Sequence, residues 1–290
     1  MRKSPVIPAS YSVLYILNQK YAELALMSIR SLLDGADGSR LARILVADIG
    51  LRRDTARLLR KLSPRVEVVP TGVWVGDSQR RHSRYWTEAV SLKTRILRQL
   101  VARERNLPLV LLDTDTVITA DFSPLLDASL DLQICRRHVP AERDDMTMHY
   151  IASFIAVHSV RALGFIDAWI ERLVERMAVG TTAPFETPAL CQVVDEWAGR
   201  INIGELDELA VSSPNCWVEN KTCIIHMKNE GAPDGRALAL SRIEAVRDYP
   251  QASLLRIYQA IPHTEPDFLE RAVRRLSRIA GRWTGAALLR

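Results

Sequence analysis

The chain has 290 residues, a formal net charge of +5, and 48% apolar and 25% charged residues. That composition suits a globular core and excludes collagen-like or disordered chains. No apolar run reaches the ~18 residues of a membrane span, and Cys135, Cys191, Cys216 and Cys223 lack the CxxC spacing of a zinc site, so reduced cytoplasmic thiols are expected. Pro8, Ser10, Ser12 and Asn18 interrupt the apolar N-terminal stretch, which argues against a secretion signal. After Leu269 there are six arginines and one acid, Glu270, so the tail accounts for the net charge. The rest is near neutral, which speaks against a nucleic-acid face.

In chain order, Tyr11 to Leu17 reads as a strand and Asn18-Gln19-Lys20 as a turn. Tyr21 to Leu33 reads as a helix, with Leu24, Met27, Ile29, Leu32 and Leu33 near helical spacing and Asp34-Gly35 at its end. Leu41 to Ile49 predicts a second strand. Asp54 is expected to N-cap a basic helix to Leu62, and Val66 to Val69 predicts a third strand. This β-α-β-α-β order predicts a mostly parallel sheet covered by helices. Residues 71 to 85 read as a long loop whose basic cluster, Arg80 to Arg84, either meets a phosphate or is solvated, the second being favoured. Trp86 to Arg105 predicts a helix.

That helix leads into Pro108-Leu109-Val110-Leu111-Leu112-Asp113-Thr114-Asp115-Thr116-Val117. The apolar run is short and bounded by proline, so it predicts a buried strand. In an extended segment both carboxylates point to one face. Ligands of open α/β sheets bind just past the carboxyl ends of strands. Two hard oxygen donors there suit Mg²⁺ or Mn²⁺ carrying phosphates. The alternative from the stretch alone is a polar turn.

Further on, Asp121 to Leu126 predicts a turn and a short helix, Leu130 to Cys135 a strand, and Arg136 to Met148 a polar, mobile loop over a site. Tyr150 to His158 predicts a strand and Val160 to about Met177 a helix. A connection from Thr181 to Pro188 precedes a helix from Ala189 to Trp197. Ala210 to Trp217 is irregular, and Thr222 to His226 is a strand ending on histidine. That end is expected to meet Asp115 on one edge of the sheet. An imidazole beside two carboxylates favours Mn²⁺ over Mg²⁺; a half-buried structural histidine is the other reading. Lys228 either neutralises a diphosphate or is a surface lysine. Residues 236–247, 250–260 and 266–288 look helical. In the last, apolar residues and Trp283 alternate with arginines, as in a helix lying on a membrane or packed on protein. One α/β domain over 1–232 and a helical extension over 233–290 are expected.

Two enzyme classes use such an acidic stretch. Asp113-Thr114-Asp115-Thr116-Val117 matches the first motif of haloacid-dehalogenase-like phosphatases, in which Asp113 would be the nucleophile and Asp115 a general acid. That motif sits on a fold's first strand, whereas here three βα units precede it. The other match draws on more of the chain. The first strand with Asn18 to Tyr21, Lys93, Leu-Leu-Asp-Thr-Asp-Thr-Val and the late Ile-Ile-His together resemble GT-A glycosyltransferases. The resemblance is to family 8-like enzymes and covers roughly residues 11 to 232.

The resemblance implies a Rossmann-like GT-A sheet and a metal-dependent hexosyltransferase, with retention of anomeric configuration. It places Asn18 and Tyr21 at the nucleotide, Lys93 at the sugar or diphosphate, and Asp113, Asp115 and His226 on Mn²⁺ or Mg²⁺. Lys228 loosely stands in for the family's diphosphate lysine. Glu186-Thr187-Pro188-Ala189-Leu190 resembles the family's Asp-Gln-x-x-Leu beside the donor sugar, which makes Glu186 the catalytic candidate together with Asp115. Asp144 and Asp145 are weaker candidates. The chain departs from the family at Tyr150-Ile151-Ala152-Ser153-Phe154, where Phe-Asn-x-Gly is expected, and after His226. The implied donor is a UDP-sugar. Where the 266–288 helix is read as lying on the cytoplasmic side of a membrane, the expected acceptor is a glycan or lipid-linked glycan of bacterial surface polysaccharide synthesis. A non-catalytic binding protein on the same fold is the third reading.

Overall fold

The computed structural model describes residues 5–75, 84–104, 108–143, 146–179, 186–214 and 221–226, with backbone alone at 84–90, 143, 213 and 214. Arg80 to Ser83, Asp144, Asp145, Lys228 and everything expected beyond 226 lie outside the described residues. No helix among them is long and apolar enough to cross a membrane.

The alternation read from the sequence is realised. β1 (Tyr11–Leu17), α1 (Ala22–Gly35), β2 (Leu41–Asp48), α2 (Arg53–Leu62), β3 (Val66–Pro70), α3 (Arg84–Arg103) and β4 (Leu109–Leu112) form the first half. Then follow β5 (Thr116–Ile118), β6 (Leu132–Arg143), β7 (Met146–Val157), α4 (Leu163–Val179), α5 (Glu186–Trp197), β8 (Ile203–Asp207), α6 (Glu208–Val211), β9 (Ser213–Pro214) and β10 (Ile224–His226). The central sheet has seven strands in the order β3-β2-β1-β4-β7-β6-β8, and β7 alone runs against the others.

Both faces of this sheet are buried, so its strands read as apolar runs rather than as alternation. Val13, Tyr15, Leu17, Val110 and Leu112 pack with Ala25, Leu26 and Ile29 of α1 and Leu59 of α2. Leu14, Leu109 and Leu111 face the other way, onto Leu97 and Val101 of α3, Phe165 and Trp169 of α4, and Leu190 and Val193 of α5. Each large side chain so buried stabilises the fold by about 1.5–3 kcal/mol, enough to hold the strand ends in fixed relation.

Several boundaries differ from the sequence reading. Arg52, not Asp54, is the N-cap of α2, with no side-chain cap bond; Asp54 sits in the first helical turn, where a carboxylate is also favourable, 3.5 Å from Arg57. The polar stretch 136–148 is not a loop over the site. Its described residues continue β6 and β7 as an exposed two-stranded arm, paired Arg136 with Tyr150 and Glu142 with Thr147. Most side chains of that arm are exposed, with Met148 alone buried among its described residues, so the apolar alternation that marks a strand is missing. α5 begins at Glu186 rather than Ala189, because Pro188 is tolerated within a helix's first turn.

A second sheet, β5-β10-β9, was not expected as a separate layer. α1 lies between it and the central sheet. Ser28, fully buried, bonds to both Tyr15 Oη (2.9 Å) and Thr116 Oγ1 (3.0 Å). Ser31 Oγ accepts from the Ile118 backbone N–H at 2.9 Å. These bonds explain why polar residues occur on a helix face that is buried.

Candidate functional site

From β1 the strand order proceeds one way to β2 and β3 and the other way to β4. The crevice beyond the carboxyl ends of β1 and β4 is therefore the topological switch point of the sheet, where open α/β folds bind ligands. Asn18 follows β1, and Asp113 to Asp115 follow β4 as a turn into β5, not as the extended segment expected from the sequence.

β10 pairs antiparallel with β5, placing His226 opposite Thr116 and next to Asp115. The sequence reading put the two strand ends on one sheet edge; they meet instead through the second sheet. His226 Nε2 lies 3.2 Å from Asp115 Oδ1 and 3.7 Å from Asp113 Oδ2. One donor atom from each of the three residues lies within 4.8 Å of the others, and this is the one such cluster among the described residues. Ligand distances of about 2.0–2.2 Å to a small divalent cation fit that spacing.

Behind the acids, Lys93 on α3 bonds to Asp113, donates to the Ala152 carbonyl at 2.7 Å, and lies 3.6 Å from Glu186 Oε1. Burial works to lower the Lys93 pKa, but Asp113, Glu186 and Asp115 outweigh it and hold the ammonium above its usual range. Burial pushes the Glu186 carboxyl up, against the pull of Lys93. Burial also acts to raise Asp115, but His226, a backbone N–H and Lys93 outweigh it and hold this carboxyl low. Trp169, fully buried, donates its indole N–H to the Glu186 carbonyl at 2.9 Å and fixes the start of α5. Formally, three carboxylates face one ammonium. A doubly charged cation would cancel the two charges left over, without which a diphosphate would be repelled.

On the β1 side, Asn18 is buried and its Nδ2 reaches the Val75 carbonyl at 3.5 Å. Tyr21 packs on the α1 face, with Lys20 Nζ 5.5 Å from its ring centroid. The loop beneath is tied by Asp48 Oδ1, which accepts from Gly50 N (2.8 Å) and Leu51 N (2.7 Å). Gly50 has φ +139°, and a Cβ there would lie 2.7 Å from the Val75 oxygen. Gly50→Ala is therefore expected to destabilise the protein by about 1–3 kcal/mol, read as a lower denaturant midpoint at unchanged slope.

The fold thus brings Lys93, Asp113, Asp115, Glu186 and His226 into one cluster and places Asn18 and Tyr21 at the two ends of the short turn that follows β1. Ser153 and Ser212 were missed. Ser212 Oγ lies 3.0 Å from His226 Nδ1 and 2.6 Å from Ser153 Oγ. A hydroxyl inside Ile-Ala-Ser-Phe-Ile was a usable signal, since buried polar groups need partners. Ser212, in Val-Ser-Ser-Pro, carried none.

Solved glycosyltransferases share this fold. The galactosyltransferase LgtC, solved with donor and acceptor sugar analogs, aligns with TM-score 0.56 and 12% identity over 88% of this chain and 98% of its own. The bifunctional glycosyltransferase WbbM aligns with TM-score 0.53 and 16% identity over 88% of this chain, which spans only 52% of that protein. Mouse xyloside xylosyltransferase 1 aligns with TM-score 0.53 and 13% identity over 78% of this chain and all of its own (100%). No family model matches the sequence, and no curated protein matches it. The architecture is the GT-A fold of nucleotide-sugar transferases: a mostly parallel α/β sheet flanked by helices, with an Asp-Asp-His cluster at its switch point.

Proposed function

We propose that the protein is a metal-dependent glycosyltransferase that moves a hexose from a UDP-sugar to a hydroxyl of a glycan or lipid-linked acceptor. The observation that carries this reading is the Asp113–Asp115–His226 cluster at the switch point of a GT-A sheet. The phosphatase reading needs the acids on a first strand; here they follow the fourth, and their partners are His226 and Lys93.

A divalent cation, Mn²⁺ or Mg²⁺, supplies positive charge against which a nucleoside diphosphate can depart. Asp113, Asp115 and His226 would hold it. Asn18 and Tyr21 would receive the nucleotide, and Lys93 would place a fixed positive charge beside the donor. Such charge, arranged beforehand in a water-poor site, favours the charge separation of the transition state. The bond from the anomeric carbon to the diphosphate oxygen breaks, a bond to the acceptor oxygen forms, and the acceptor proton leaves. Glu186, 3.6 Å from Lys93 Nζ, would orient the donor or acceptor sugar. Lys228 at the diphosphate, membrane contact through 266–288, a role in surface polysaccharide synthesis, membership of family 8 and retention of configuration belong to the same proposal.

The test is a screen of nucleotide-sugars with Mn²⁺ and simple glycan acceptors, scored by release of nucleoside diphosphate and by the anomeric coupling constant of the product. Stimulation by UDP-sugars and loss with a chelator are expected. Metal-dependent hydrolysis of aryl phosphates, with no turnover of any nucleotide-sugar, would overturn the reading.

A further inference from the structure

We infer that Ser212, backed by Ser153, is the positioning residue that holds His226 for the cation, through a two-hydroxyl relay that accepts either tautomer of the imidazole. The inference rests on the metal-dependent reading above.

The relay runs Ser153 Oγ to Ser212 Oγ (2.6 Å) to His226 Nδ1 (3.0 Å). All three residues are buried, with relative exposures of 1%, 0% and 5%. Engaging Nδ1 sets the rotation of the ring and leaves Nε2 directed at Asp115 and Asp113. A metal-bound histidine commonly gives its other ring N–H to a carboxylate or a carbonyl. Such acceptors lock the proton on that nitrogen. A hydroxyl both donates and accepts, so each serine can turn to match the ring. With the proton on Nε2, facing Asp115, Nδ1 accepts from Ser212 and Ser212 accepts from Ser153. With Nε2 bare for a cation, Nδ1–H donates to Ser212 and Ser212 donates to Ser153. The bonds within the relay are kept in both arrangements.

The same short segment of β7 supports the other side of the site. The pairing of β6 with β7 is irregular between Ile134 and Cys135, opposite Ile155 and Ile151, so residues 152–154 bulge away from β6. Bulges commonly re-aim side chains beside functional sites. Here the Ala152 carbonyl accepts from Lys93, and the Ser153 carbonyl accepts from the Asp113 N–H at 3.1 Å. Ser153 therefore sets the main chain of one acid with its carbonyl and the imidazole, through Ser212, with its hydroxyl. Residues 152 and 153 lie in the stretch where this chain departs from the Phe-Asn-x-Gly pattern.

The test is Mn²⁺ affinity without nucleotide-sugar, read from the free-ion electron paramagnetic resonance signal, for wild type, Ser212→Ala, Ser153→Ala and the double variant. Unfolding midpoints in chelator are measured beside it. Ser212→Ala is expected to weaken Mn²⁺ about 10- to 100-fold. Ser153→Ala should weaken it less, and the double variant should match Ser212→Ala, because the two hydroxyls act in series. Ser212→Thr should restore most of the affinity. A purely structural role would lower the metal-free midpoint and leave the affinity alone. If Ser212→Ala binds Mn²⁺ as wild type does while Asp115→Asn has lost it, the relay is wrong and the metal site stands. If wild type itself binds no Mn²⁺, both readings are overturned. If the affinities follow the relay but no nucleotide-sugar is turned over, the relay stands and the transferase reading fails.

Discussion

Asp115→Asn is expected to lower nucleotide-sugar turnover by more than about 100-fold with the folded structure kept. Partners one step removed from a metal already cost about 10- to 100-fold when lost; a direct ligand should cost more. The substitution conserves volume and removes the charge that faces His226 at 3.2 Å. It leaves the carboxylate of Asp113 and the ion pair of Asp113 with Lys93 in place. The measurement is diphosphate release under saturating donor and Mn²⁺, with circular dichroism to show the fold. Activity within twofold of wild type would remove Asp115 from the metal site, and the proposed function with it.

Lys93→Met is expected to have the largest effect on stability. The ammonium, with 12% of its side chain exposed, sits between Asp113 and Glu186, whose side chains are 28% and 15% exposed. Methionine keeps most of the volume and leaves two carboxylates close together with no counter-charge. Losing one member of a buried ion pair costs about 3–5 kcal/mol; the partial exposure of Asp113 places this case near about 3 kcal/mol. The deficit should depend on pH. Glu186 already has a folded pKa above its unfolded value because of burial. It therefore contributes stability below the unfolded pKa that is lost as pH rises through the folded one. Without Lys93 the folded value rises further, so the deficit is greatest at neutral pH and narrows as pH falls toward about 5. Urea unfolding of wild type and variant at the two pH values reads this directly. A deficit that widens on acidification would mean that Lys93 does not offset these carboxylates.

Much of the fold was legible because its signals are local. Strands buried on both faces carry near-continuous apolar runs, as at 109–112, and helices between them show helical spacing and stop signals. The arm formed by 136–143 and 146–150 was not legible: it is strand held by cross-strand pairing with most of its side chains in water, so its residues look like a loop. Glu208, buried beneath the arm, accepts from the His138 N–H at 3.1 Å. That contact spans 70 positions, and no local pattern encodes it.

By itself the sequence located the acids. Two carboxylates two residues apart after an apolar strand, three βα units into the chain, specify acids at the ligand-binding end of a parallel sheet; that both meet His226 is set by the turn between β4 and β5, not by strand alternation. Which groups meet those acids was decided by the tertiary structure. His226 reaches Asp115 because β10 pairs antiparallel with β5, in a sheet separate from the central one. Lys93 arrives from α3, Glu186 from the first turn of α5, and Ser153 and Ser212 from β7 and the end of α6. These contacts join residues 14 to 111 positions apart, counting from Ser212 or Asp115 to His226. They depend on strand register and helix packing, which are properties of the assembled core rather than of any local run of residues.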